Sequence, residues 1–112
     1  MDSGNLNYYS ANDTRYVFID GNTCDTMEKC YITIAQQLSM PDYFGYNLDA
    51  LEEVLADLEW IEEEKIIIII LNGSALLGLE PDLKGGFLAI LKASDNARVE
   101  VIGLPDNQKE IS

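Results

Sequence analysis

KIIIIIL, residues 65–71, is the stretch on which the fold turns. Five consecutive isoleucines favour an extended backbone, because a side chain branched at Cβ is crowded in a helix and packs well on a pleated surface. The apolarity is continuous rather than alternating, which predicts a strand covered on both faces, the pattern of a central parallel strand. Asn72-Gly73 ends it with a turn signal. A run this short is far from the roughly 20 apolar residues that a membrane-spanning helix needs.

Working outward, residues 98–102 (RVEVI) alternate at first, as an edge strand does, and residues 16–19 (YVFI) form a first strand stopped by Asp20-Gly21-Asn22. Between the first strand and the isoleucine run lie two helical patterns. Asp25 precedes Glu28 by three positions, as an N-cap and its returning carboxylate would, and Met27, Cys30, Tyr31, Ile34 and Leu38 follow at steps of three and four until Met40-Pro41. Asn47 caps a second helix with an apolar stripe of Leu48, Leu51, Val54 or Leu55, and Leu58. Residues 74–79 suggest a short helical turn. Pro81 then opens a third main helix with Leu83, Phe87, Leu88, Ile90 and Leu91 on its core side, and Gly85 and Gly86 weaken its first turn. The order β-α-α-β-α-β predicts an α/β fold: a small three-stranded parallel sheet packed with three to four helices and joined by right-handed crossovers.

At 112 residues the chain has room for one modest core. Residues 15–103 are expected to form that single domain. Residues 1–14, rich in Asn, Ser and Asp, read as a flexible N-terminal arm that Tyr8 and Tyr9 can pin to the body, and residues 104–112 as a polar tail. The start of the chain has no apolar core of signal-peptide length, so a cytoplasmic protein is expected.

Seven basic against twenty acidic side chains give a formal charge of −13. Such a chain is repelled by nucleic acid, which is held by Lys and Arg, so a basic protein is the better partner. With no histidine anywhere, Ser-His-Asp and Cys-His catalysis and the usual near-neutral base are excluded. Cys24 and Cys30 lack CxxC spacing. If both lie on the first helix they face different sides and miss disulfide geometry, so both are read as reduced, with Cys30 in the core. Neither a metal nor a cofactor is expected.

The informative stretch is Tyr43-Phe44-Gly45-Tyr46-Asn47, three aromatics around a glycine feeding the capped second helix. Rings in such a loop either plug the core or wait for a partner, and Tyr43 is the one expected at the surface. The leucine stripe leaves Asp49, Glu52, Glu53, Ala56 and Asp57 facing outward, with Asp49, Glu53 and Ala56 or Asp57 stacked along one line. Carboxylates so placed repel one another by a few tenths of a kcal/mol per pair, which cations on another molecule would relieve. A hydrolase using Asp49 with Glu53 is disfavoured: a convex, solvated helix supplies no dry pocket to separate two carboxyl pKa values.

Residues 40–51, MPDYFGYNLDAL, resemble the signature of the barstar family: an apolar residue and Pro, an acid, two aromatics, Gly, any residue, Asn, an apolar residue, Asp, Ala and Leu. The order of elements agrees over residues 15–103. Barstar-like proteins are small cytosolic proteins with a three-stranded parallel sheet, and the best known inhibits a secreted ribonuclease by placing carboxylates where substrate phosphates would lie. The resemblance therefore implies a non-enzyme, monomeric when free, that binds a basic protein toxin, most simply a ribonuclease. It assigns Tyr43 as the binding tyrosine, Gly45 and Asn47 as loop residues, Asp49 as the first binding aspartate and Glu53 as the dominant one, lengthened by a methylene. Phe44, Tyr46, Glu52, Ala56 and Asp57 complete the expected partner face. Glu52 and Asp57 stand where the best-known member has a tryptophan and a glycine, Leu58 replaces the aromatic after it, and Lys92 falls where that member presents a glutamate. These departures imply a different toxin. The alternative is an acidic module of the same fold that regulates some other basic protein without inhibiting a nuclease.

Overall fold

The computed structural model describes residues 8–40 and 45–104. Within them the chain forms β1 (Tyr9–Ala11), β2 (Thr14–Asp20), α1 (Met27–Gln37), α2 (Leu48–Asp57), β3 (Lys65–Leu71), α3 (Lys84–Lys92) and β4 (Val99–Gly103). Short 3-10 turns at Gly73–Ala75 and Pro81–Leu83 lie between β3 and α3. The isoleucine run is thus a strand over its full expected length, and it is central: β2 and β4 flank it, both parallel to it.

The sheet has four strands rather than three, because part of the expected arm pairs with β2. Asn12 and Asp13 both take positive φ, 55° and 61°, the geometry of a two-residue hairpin turn that favours Asn and Asp. The turn folds β1 back antiparallel to β2, with Tyr9 opposite Tyr16 and their rings 5.4 Å apart. The Asp13 carbonyl also accepts from the N–H groups of Glu64 and Lys65, so the same turn fixes where β3 begins. Residues 1–7, Pro41, Asp42, Tyr43, Phe44 and the tail from residue 105 lie outside the described residues.

Coverage of β3 on both faces is also corrected. Ile66, Ile68 and Ile70 are buried, whereas Ile67, Ile69 and Leu71 are only half-buried. The cause is topological. Register places Val17 beside Ile68 and Ile19 beside Ile70, and these residues join one core cluster with Cys30, Ile34, Leu51, Leu55, Phe87 and Leu91 from the three helices. The helices therefore cover one side of the sheet, and each fully buried isoleucine there contributes about 1.5–3 kcal/mol. On the other side Phe18 remains 38% exposed.

Helix boundaries shift in ways the local chemistry explains. Thr26, not Asp25, caps α1, its hydroxyl accepting from the Lys29 N–H at 3.3 Å, while Asp25 pairs with the Lys29 ammonium at 3.0 Å. At the other end of α1, the Gln37 amide accepts from the Phe18 N–H at 2.7 Å and donates to the Phe18 carbonyl at 2.8 Å. It imitates a strand partner along the stretch of β2 that β1 does not reach, which blunts that edge. Pro81 starts a 3-10 turn instead of α3, and Leu83 is exposed because it precedes the amphipathic part of the helix. Phe87 and Leu91 carry its core contact, with Leu88 and Ile90 half-buried.

Gly21 sits where the end of β2 meets the turn after β3. A methyl group there would overlap the Asn72 carbonyl oxygen and lie 2.7 Å from Leu76 N. Both are backbone atoms, which relax only by moving the chain. Gly21→Ala is expected to lower unfolding free energy by about 2 kcal/mol or more, as overpacking of a fixed site does, measured as a shift of the urea midpoint. A midpoint unchanged from the parent would show that the turn relaxes freely.

Candidate functional site: an acidic helix face

α2 begins at its cap. The Asn47 side chain accepts from the Ala50 N–H at 2.8 Å and donates to the Gly45 carbonyl at 3.1 Å, so one amide both starts the helix and holds the chain entering it. Tyr46 occupies the left-handed region with φ 52°. Its half-exposed ring meets Tyr31 of α1 edge-on, with centroids 6.3 Å apart. Of the expected loop residues, then, the structure places Gly45, Tyr46 and Asn47 together at the head of α2; Tyr43 and Phe44 lie outside the described residues.

From this head the helix presents two chemically opposite sides. Leu51, Val54, Leu55 and Leu58 are buried. Asp49, Glu52, Glu53, Ala56 and Asp57 are all exposed. Among the described residues the ion pairs are Arg15 with Glu63 and Lys29 with Asp25, so none of the four α2 acids is matched by a cation of its own chain. Among the described residues, then, the row of like charges faces outward without a cation beside it. Beside it, between α2 and α3, opens a cleft of about 110 Å³ lined by Glu52, Ala56, Ile90, Ala93, Ser94 and Asp95. Sequence reading missed Asp95, and the only hint was its position just after the apolar stripe of α3. Lys92 is exposed at the end of that helix. Among the described residues no cluster of His, Cys, Asp or Glu is arranged to hold a metal ion, and no helix is long and apolar enough to cross a membrane.

The far end of α2 is secured by the segment that follows α3. The Leu55 carbonyl, which has no helical partner, accepts from Asn96 Nδ2 at 3.1 Å and from the Ser94 hydroxyl at 3.5 Å. Leu58 turns the chain out of the helix at φ 49°. Its carbonyl then accepts from Arg98, whose guanidinium also donates to the carbonyls of Ile61, Glu63 and Glu64, at 2.9, 2.7, 2.6 and 3.3 Å in chain order. Trp60 adds a hydrogen bond from its indole to the Leu38 carbonyl at 2.8 Å.

The last anchor is ionic. Arg15, buried on β2, pairs with Glu63 Oε1 at 2.9 Å, while the Ser10 hydroxyl donates to Oε2 at 2.6 Å and the Tyr8 ring stacks 3.6 Å from the guanidinium. Burial by itself would push the Glu63 carboxyl up, but the Ser10 hydroxyl, a backbone N–H and the Arg15 charge together hold it below its ordinary value.

A family model described as Barstar (barnase inhibitor) matches residues 14–104. No curated protein matches the chain.

A carboxyl whose folded pKa is depressed stabilises the fold fully above its ordinary pKa, and that contribution is lost as pH falls through the folded value. Glu63→Gln is therefore expected to be less stable than the parent at pH 7, with the difference shrinking as pH drops from about 5 into the acid range. Denaturant titration at a series of pH values measures it. A gap between the two proteins that stays constant down to acid pH would mean that Glu63 acts by shape alone.

Proposed function

We propose that this chain, which belongs to the barstar family, is an intracellular inhibitor or immunity protein. It blocks the active site of a basic toxin, a ribonuclease, using the acidic face of α2 and the aromatic loop ahead of it. The single observation that carries this reading is the row of exposed carboxylates at Asp49, Glu52, Glu53 and Asp57, unmatched by any cation of the chain among the described residues.

A ribonuclease cleft must be cationic to hold the phosphates of its substrate, so a rigid row of carboxylates fits the same cations. Rigidity matters because the ordering entropy is already lost when the helix folds, leaving less to lose on association. The −13 charge adds long-range attraction for a basic partner. Glu52, Ala56 and Asp57 extend the contact, and Gly45, Tyr46 and Asn47, with Tyr43 and Phe44, form its aromatic end. Glu53, Asp57 and Lys92 alter reach and charge relative to the family pattern, which directs the protein to a toxin whose cation spacing differs from that of barnase. Catalysis by the chain itself has no place in this reading: Asp49, Glu53 and Asp57 are exposed and stand outside the cleft that Glu52 lines.

Inhibition assays and stopped-flow association with barnase, and with basic ribonucleases retained by the chain at low salt, test the proposal. At least one such enzyme should be inhibited, and its association rate should fall as ionic strength rises through the physiological range, where the screening length is about 8–10 Å. Asp49→Ala and Glu53→Ala should each weaken binding at least about tenfold, or about 1.4 kcal/mol. Stability should stay within about 0.5 kcal/mol of the parent, as for exposed sites elsewhere. Affinity unchanged by both substitutions, or association indifferent to salt, would remove the acidic face from the function.

A further inference from the structure

Two thiols lie apart from the acidic face and play no part in the proposed function. Cys24 is 1% exposed and Cys30 0%, and both are free thiols. The expectation that they sit on different sides of one helix fails because α1 begins at Met27, leaving Cys24 in the connection that enters the helix. That connection is tightly held. The Cys24 N–H donates to the Asp20 carbonyl at 2.8 Å, and its carbonyl accepts from the Leu77 N–H at 2.9 Å.

The sulfur atoms are brought together by this arrangement. Cys24 Sγ donates to Thr33 Oγ1 at 3.5 Å. Thr33 is three residues beyond Cys30 and so shares its stripe of α1, which places the Cys24 sulfur over that stripe. Cys30 Sγ in turn reaches back to the Cys24 carbonyl at 3.8 Å. Interaction between the two thiols lowers the Cys24 pKa, and that interaction together with burial raises that of Cys30. Two neighbouring thiols are what thiol–disulfide exchange closes into a bridge.

The residue after Cys30 leads out of the core. Tyr31 packs edge-on against Tyr46, next to the cap of α2, with the ring planes 72° apart. Tyr31 thus joins the first turns of α1 to the head of the acidic helix.

We propose that Cys24 and Cys30 form a reversible redox pair that a low-molecular-weight disulfide closes into an intramolecular disulfide, and that closure shifts residues 45–47 through Tyr31 and Tyr46. In the first step Cys24 gives its proton to water and its sulfur attacks one sulfur of the reagent. The reagent's S–S bond breaks, a mixed disulfide forms on Cys24, and one reagent thiolate leaves and takes up a proton from water. In the second, Cys30 attacks the Cys24 sulfur, expelling the other half of the reagent, which takes up the Cys30 proton. The protein loses two electrons and the reagent gains them, becoming two thiols. Because both sulfurs are buried, the first step waits on local opening of the connection ahead of α1. An effect on toxin binding would rest on the function proposed above, whereas the disulfide and the loop shift do not.

The test incubates the full native chain with oxidised glutathione, followed by intact mass, peptide mapping and amide NMR spectra. The expected result is a Cys24–Cys30 linkage reversed by dithiothreitol, with shifted amide resonances at Gly45, Tyr46 and Asn47, and accumulation of a glutathione adduct on Cys24 in Cys30→Ser. Any of three results in the parent protein overturns the proposal: thiols that remain reduced, a glutathione adduct that never resolves, or a closed disulfide with unmoved amides at residues 45–47. If the disulfide forms and the amides move while reduced and oxidised chains alike fail to bind any basic ribonuclease, the inhibitor reading fails and the redox pair stands.

Discussion

The structure depends on one guanidinium. α2 carries the acids and β3 carries the core, and only residues 58–64 separate them. Arg98 fills that gap, donating to the carbonyls of Leu58, Ile61, Glu63 and Glu64. A planar fork of fixed geometry holds several acceptors in one relative arrangement better than a flexible ammonium can. The bonds to Ile61 and Glu63 are part-buried, where an unpaired carbonyl costs up to about 1–3 kcal/mol. Arg15 with Glu63, Trp60 with Leu38, and Asn96 with Leu55 reinforce the same junction. The result is a helix whose direction relative to the sheet is fixed at both ends, by Asn47 at its head and by Arg98 at its foot.

This division of labour explains how the chain tolerates its charge. Every basic side chain that enters a buried network is used inward: Arg15 pairs with Glu63, and Arg98 satisfies backbone oxygens. Among the described residues the acids of α2 receive none of this compensation. Their mutual repulsion is small, a few tenths of a kcal/mol per pair, against several buried leucines worth about 1.5–3 kcal/mol each on the opposite side of the helix. Packing therefore decides that the helix forms, and electrostatics is left free to decide what it meets. Net charge acts on association and solubility rather than on the fold.

Much of this could be read from the sequence, where local chemistry and tertiary context agree. The isoleucine run, the Asn47 cap and the Leu51, Leu55 and Leu58 stripe signal their elements by residue type and spacing alone. The hairpin was also written in the sequence, as Asn12-Asp13 between two tyrosine-bearing stretches, but it was obscured by the polar composition around it. What spacing could not supply was anything decided across the chain. The half-open side of β3 reflects helices gathered on one face, which an apolar run does not reveal. The Arg98 clamp joins residues some 34 to 40 apart, and a lone arginine before a strand carries no sign of it. Both cysteines are reduced and Cys30 lies in the core, as expected, but Cys24 sits in the connection ahead of α1 rather than on the helix, a placement that spacing alone does not fix. For the acidic face, outward orientation was legible from the helical wheel, whereas its neighbouring cleft required knowing where α3 lies.

The central claim is that a rod of carboxylates occupies the place of RNA phosphates on a basic enzyme. The most direct measurement is a competition on a basic ribonuclease that the chain inhibits, inactivated so that it holds substrate without cleaving it. The chain is titrated onto this enzyme in the presence of increasing single-stranded RNA oligonucleotide. The account predicts mutual exclusion, with the apparent affinity of the chain falling as the oligonucleotide fills the cleft. A ternary complex of enzyme, oligonucleotide and chain, with affinity unaffected by the oligonucleotide, would contradict it.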